Sequence, residues 1–123
     1  IPTSRGKGTR AEVRSADPSS NPYLALAVLL VSGLDGIKNK EKLMKPVYIN
    51  LYELDRDTRE SMGIKNLPEN LKDALKELKR DDVVKKALGE HVLDKFYTAK
   101  KQEWESYRKS VTDWEINNYL KRM

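Results

Sequence analysis

The chain has 123 residues, 38% of them hydrophobic and 35% charged, with a formal net charge of +5 and an isoelectric point near 9.3. That length fits one small domain or a piece of a larger one, and the apolar content is low for a self-sufficient globule, so some apolar surface is expected to face a partner or further chain. The lack of cysteine excludes disulfides and thiolate metal sites and suits a reducing cytoplasm, the single histidine excludes a site of several imidazoles, and no apolar run approaches the roughly 20 residues that span a bilayer.

The first residues are Ile-Pro rather than Met, without a signal-peptide pattern, so the chain reads as a piece of something longer. Up to Arg14 the charged residues are Arg5, Lys7, Arg10 and Arg14 against Glu12 alone, which gives the positive charge a local focus. Ser4-Arg5-Gly6-Lys7-Gly8 is a loop, and residues 9–15 alternate. On a β-strand Arg10, Glu12 and Arg14 project from one face in a row. One strand is unstable alone, so its sheet partners are expected to lie elsewhere.

A turn over Asp17-Pro18-Ser19-Ser20 leads to Asn21, a good N-cap, and Pro22, which suits the first helical position. The helix expected over residues 21–36 is apolar all round. It should therefore be buried on every side, fraying near Gly33 and ending by Gly36. Lys38 to Lys45 is a charged connector, and Val47 to Leu54 is extended or irregular. Asp55 to Met62 predicts a short helix closed by Gly63, and Leu67-Pro68 opens another carrying Leu71, Ala74, Leu75 and Leu78 at helical spacing. Asp81-Asp82 caps a segment that Gly89 interrupts, and Glu90 to Arg108 forms the longest helix. Thr112-x-x-Glu115 is a capping box that starts a terminal helix with Trp114, Ile116, Tyr119, Leu120 and Met123. The expected class is mainly α: an active-site loop and strand over 1–17, the helix over 21–36, and a helical region over 64–123.

The row Arg10, Glu12, Arg14 is the strongest chemical feature. Two guanidiniums around one carboxylate suit a phosphate-and-metal site, since arginine grips phosphate oxygens in bidentate fashion and a carboxylate ligates a hard cation. Taken alone, the pattern more often means ion pairing on an exposed face. The wider string shifts that balance. Arg10-x-Glu12-x-Arg14, then Asp17-Pro18-x-x-Asn21-Pro22-Tyr23, then Gly33-Leu34-Asp35-Gly36-Ile37-Lys38-Asn39-Lys40 together resemble the C-terminal catalytic region of type I glutamine synthetases. Looser likeness continues through Asn50-Leu51-Tyr52, Leu67-Pro68 and Ala87-Leu88-Gly89-Glu90-His91 to the terminal helix.

The resemblance implies an ATP-dependent glutamate–ammonia ligase that passes through γ-glutamyl phosphate and uses Mg²⁺ or Mn²⁺. It implies Glu12 as a metal ligand, Arg14 as a catalytic contact to glutamate and the transferring phosphoryl group, and Arg10, with Arg5 and Lys7, on the nucleotide side. Tyr52 falls where some family members are adenylylated. The Ser4-Arg5-Gly6 form looks like the Gram-positive branch, which implies an ordinary surface tyrosine there, feedback inhibition by glutamine, and docking of nitrogen-regulatory transcription factors. The terminal helix corresponds to an intersubunit element of a dodecamer of two hexameric rings. Other acids and a histidine of the family site would lie before Ile1, so the chain by itself should be inactive. A stand-alone basic module that binds nucleic acid or docks a regulator is the other reading; Glu103 and Glu105 beside Lys100 and Lys101 argue against direct nucleic-acid binding. His91, beside Glu90, is read as structural or exposed, and the Phe96, Trp104, Tyr107 stripe as packing.

Overall fold

The computed structural model describes residues 5–120; Ser4 of the predicted loop and Met123 of the terminal stripe lie outside them. The chain is mainly helical. A single 3-10 turn over Gly6–Gly8 precedes α1 (Pro22–Lys38), and a second over Leu51–Glu53 precedes α2 (Arg56–Ser61). Then come α3 (Leu71–Arg80), α4 (Asp82–Tyr107) and α5 (Asp113–Asn118). Helices α1 and α3 both pack against α4. Among the described residues Leu75 of α3 is the one buried hydrophobic, 6% exposed.

Each helix begins on a side-chain cap. The Asn21 carboxamide oxygen accepts from the backbone N–H of Tyr23 at 3.0 Å and of Leu24 at 3.3 Å, with Pro22 at the first helical position. Asp55, Asn70 and Asp81 do the same for α2, α3 and α4. The predicted capping box is complete: Thr112 Oγ1 accepts from the Glu115 N–H at 3.3 Å, and the Thr112 N–H donates to Glu115 Oε2 at 2.8 Å. These bonds satisfy donors that a helix start leaves without an intrahelical partner.

Two helix ends differ in how legible they are. After α2, Gly63 takes φ 76°; its N–H donates to the Glu60 carbonyl at 2.9 Å, and that of Ile64 to the Arg59 carbonyl at 2.9 Å. That is a complete Schellman closure with glycine at the left-handed position. Helix α1 ends the same way: Lys40 N–H donates to Ile37 at 3.2 Å and Glu41 N–H to Gly36 at 2.9 Å, but the left-handed residue is Lys40, φ 55°. The helix therefore runs past Gly36 to Lys38, two residues beyond the predicted end. Gly33 and Gly36 weaken a helix by about 1 kcal/mol each relative to alanine without ending it.

Three other expectations are corrected. Among the described residues no strand forms: residues 9–14 carry no ladder, because no segment lies alongside to pair with them. Helix α1 is not buried on every side; none of its residues is buried, and Tyr23, Leu26, Leu30, Leu34 and Ile37 are exposed. Leu67-Pro68 does not open α3, which waits for the Asn70 cap and starts at Leu71.

The break at Gly89 is as the sequence predicts. Helix α4 is two helical pieces joined by Gly89 at φ 71°, ψ 159°. The first piece lies between the other two helices: Val83 neighbours Val31 and Leu34 of α1, and Val84 neighbours Ala74 and Leu78 of α3. Lys79 of α3 sits over the Tyr97 ring of α4, 3.9 Å from its centre, and ties the second piece to the same helix.

Candidate functional site

Although no strand forms, the row meets. In an extended backbone every second side chain lies on the same face, and the long arginines lean inward from both sides onto the central acid. Arg10 Nε donates to Glu12 Oε1 at 2.9 Å, and Arg10 Nη2 is 2.5 Å from the same oxygen. Arg14 Nη2 donates to Glu12 Oε2 at 2.7 Å. The cluster is open to solvent: the side chains of Arg10, Glu12 and Arg14 are 54%, 29% and 86% exposed. The Glu12 carboxyl is held below the usual glutamate range, by the hydrogen bond from Arg14 first and that from Arg10 second.

Local structure fixes how the row leaves the loop and enters α1. Arg10 Nη1 donates to the Gly8 carbonyl at 3.0 Å, which anchors that guanidinium to the turn carrying Lys7. Spacing of side chains gives no signal for a contact of this kind, made to the backbone two residues earlier. At the other end Asp17 Oδ1 accepts from the Ser19 N–H at 2.7 Å and from the Ser19 hydroxyl, and the Ser20 N–H donates to the Asp17 carbonyl at 2.9 Å. This Asx turn redirects the chain into the Asn21 cap. Behind the row, Val13 lines an apolar cleft of about 550 Å³ with Leu24 and Val28 of α1, Leu78 of α3, and Leu88 and Phe96 of α4. The charged face thus points outward from a segment whose reverse face looks onto the helices.

Arg5 and Lys7 are exposed and lie at the same end of the chain as Arg10. Tyr52 is 98% exposed in the 3-10 turn after Asn50, whose side chain accepts from the Tyr52 N–H at 3.2 Å. His91 is exposed on α4 just past the Gly89 break. Trp104 and Tyr107 meet at 6.0 Å between ring centres, and Trp114 and Tyr119 meet edge to face at 5.6 Å.

A hard divalent cation takes oxygen ligands, usually several carboxylates with water. Glu12 can supply one such ligand from a half-open position. Among the described residues no group of three or more His, Cys, Asp or Glu could hold a metal ion. A cation at Glu12 would need further ligands from outside those residues. No helix among the described residues is long and apolar enough to cross a membrane.

Comparison with known proteins gives one consistent answer. A family model described as glutamine synthetase, catalytic domain, matches residues 1–119. A glutamine synthetase of Staphylococcus aureus (strain MRSA252) is 52% identical over 122 residues, which is 99% of this chain and 27% of that protein. One from Staphylococcus epidermidis is 48% identical over the same shares. The chain therefore spans about a quarter of the length of the curated relatives it matches.

Proposed function

Because the chain belongs to the glutamine synthetase catalytic-domain family, we propose that it is the C-terminal portion of a glutamate–ammonia ligase and that residues 5–14 form one edge of its active site. The observation that carries the reading is the convergence of Arg10 and Arg14 on Glu12 on an open face of one short segment. Glu12 would contribute one carboxylate ligand to Mg²⁺ or Mn²⁺, and the cation would supply positive charge to offset that of the phosphates.

Arg14 binds glutamate and faces the phosphoryl group in transfer. As an oxygen of the glutamate γ-carboxylate attacks the γ-phosphorus of ATP, the bond to ADP breaks and negative charge spreads over the equatorial oxygens. A guanidinium facing that group stabilises the spreading charge more than the ground state. Ammonia then displaces phosphate from the acyl phosphate to give glutamine. Arg10 holds nucleotide phosphate with Arg5 and Lys7 beside it, and its bond to the Gly8 carbonyl sets its direction.

The same reading places the enzyme in the cytoplasm as a dodecamer, with α5 and the exposed Trp114, Tyr119 and Leu120 in and just after it at a subunit contact. It leaves open surface for nitrogen-regulatory transcription factors, and it treats Tyr52 as an ordinary surface tyrosine. The isolated chain is inactive, because one carboxylate cannot assemble the cation site.

The test is Glu12→Ala in the full-length protein that carries this chain. Mn²⁺ binding should weaken and glutamine formation should fall by two or more orders of magnitude, while Arg14→Ala should reduce turnover and glutamate affinity with Mn²⁺ binding retained. Near-normal synthesis by the Glu12→Ala protein would remove Glu12 from the site, and glutamine made by the isolated chain would overturn the account of it as one edge only.

A further inference from the structure

We propose that Asp17 is a positioning residue for Arg14: its side chain locks the turn that ties the segment carrying Arg14 to the start of α1. This rests on the reading of Arg14 as the contact to glutamate and the phosphoryl group, and adds what holds that contact in place.

Arg14 depends on its backbone. Its side chain is 86% exposed, so packing does little to fix it, and among the described residues no strand includes it. Its Cα therefore goes where the neighbouring chain sends it. On the downstream side only Ser15 and Ala16 separate it from a fixed frame. Asp17 Oδ1 accepts from the Ser19 N–H at 2.7 Å and from the Ser19 hydroxyl, and the Ser20 N–H closes the turn on the Asp17 carbonyl at 2.9 Å. Pro18, the second residue of that turn, has its φ preset by its ring. Asn21 then accepts from the N–H groups of Tyr23 and Leu24, so the turn runs straight into α1, which packs on α4. Residues 17 to 21 thus form a brace with one foot on a helix. Each of its hydrogen bonds spans two or three residues, and the brace needs no other segment in order to form.

The chemistry of the acid suits this role. One oxygen takes both Ser19 donors, and these hold the carboxyl below the usual aspartate range, the hydroxyl first and the N–H second. The turn needs an acceptor oxygen at that place rather than a charge, so an asparagine carboxamide can close it equally. Arg10, at the other end of the row, has a separate anchor in the Gly8 carbonyl. Loosening the brace should therefore displace Arg14 and spare Arg10. Displacing a reacting contact by about 1 Å can cost on the order of 10²-fold in rate.

The test uses glutamine formation by the full-length protein, with thermal unfolding alongside. Asp17→Ala should lower kcat/KM for glutamate by on the order of tenfold or more and leave the KM for ATP little changed. Asp17→Asn should restore most of that loss, and Ser19→Ala, which keeps the N–H, should fall between. The deciding measurement is Asp17→Ala added to Arg14→Ala. A residue that acts through Arg14 costs little more once Arg14 is gone. An equal loss in both backgrounds overturns the brace, as does an asparagine variant as damaged as the alanine one. A rise in the KM for ATP matching that for glutamate, with a lower melting temperature, also overturns it, because the effect is then general loosening. Should Asp17→Ala not fold, Ser19→Ala with and without Arg14→Ala makes the same comparison. If Arg14→Ala itself leaves turnover and glutamate affinity intact, the reading of Arg14 fails; if it impairs both while Asp17→Ala behaves as wild type, the brace alone fails.

Discussion

Gly89→Ala tests the most unusual backbone position in the fold. Gly89 breaks α4 at φ 71°, ψ 159°, a region open essentially to glycine alone, where another residue costs on the order of 1–3 kcal/mol. Nothing lies within 4 Å of the place a Cβ would occupy, so crowding contributes nothing and the cost is in the backbone. Alanine narrows the unfolded ensemble and would favour a continuous helix by up to about 1 kcal/mol each. That second gain requires straightening α4. Straightening swings Asp82–Leu88 out of its place between α1 and α3, where Val83 neighbours Leu34 and Val84 neighbours Leu78. The strain should win, with a net loss of about 1–2 kcal/mol. In a chain of this size that lowers the melting temperature by roughly 3–10 °C. Thermal and urea unfolding followed by far-ultraviolet circular dichroism would measure it, and hydrogen exchange would place the loss in α4. A variant as stable as the parent, with α4 amides equally protected, would show that the helix runs straight through position 89.

Two further predictions concern local hydrogen bonds. The Glu12 carboxyl is held below the usual range, so what its pairing with Arg14 and Arg10 contributes is present in full above the unfolded-state pKa and is lost as pH falls through the lowered native one. A carbon-detected NMR titration of Glu12 should show its midpoint rising toward the usual range in Arg14→Ala, since Arg14 is the larger cause; an unmoved midpoint would mean the pair does not persist in solution. Thr112→Ala removes one half of the capping box and should cost about 1 kcal/mol, seen as faster amide exchange across Asp113–Asn118 with the rest of the chain unaffected. Unchanged exchange there would show that α5 is held by something other than its cap.

What the sequence made legible is what short-range chemistry decides. Asn21-Pro22, Asp81, Thr112-x-x-Glu115 and Gly63 each act within four residues, and each does in the fold what its local pattern implies. The gathering of Arg10, Glu12 and Arg14 on one face was legible for the same reason: it needs an extended backbone and no sheet. The strand itself was not available to this chain, since a ladder requires a partner from distant sequence and none of the described residues supplies one. The end of α1 was hidden because Lys40, a residue with no preference for positive φ, holds the left-handed position that glycine usually takes. The helix read from Leu67 was delayed because the Asn70 carboxamide competes for the Asp73 N–H and sets the first turn there.

The apolar character of α1 carries the remaining argument. Leu24, Val28 and Val31 are partly covered on the side toward α4, while Tyr23, Leu26, Leu30 and Ile37 form a second stripe that nothing described covers. Two stripes on one helix look in sequence like a helix buried all round, and here one of them is bare. Fully burying such side chains stabilises by roughly 1.5–3 kcal/mol each, so the stripe is worth several kcal/mol to whatever chain covers it. The rest of the parent polypeptide is the natural cover, given that relatives extend well beyond the quarter of their length matched here. Leu30→Ala should therefore be close to neutral in the isolated chain, where the side chain is 64% exposed, and should cost about 2–4 kcal/mol in the full-length protein. Urea unfolding of both pairs measures the difference. A small cost in both settings would mean that the stripe stays bare in the complete protein.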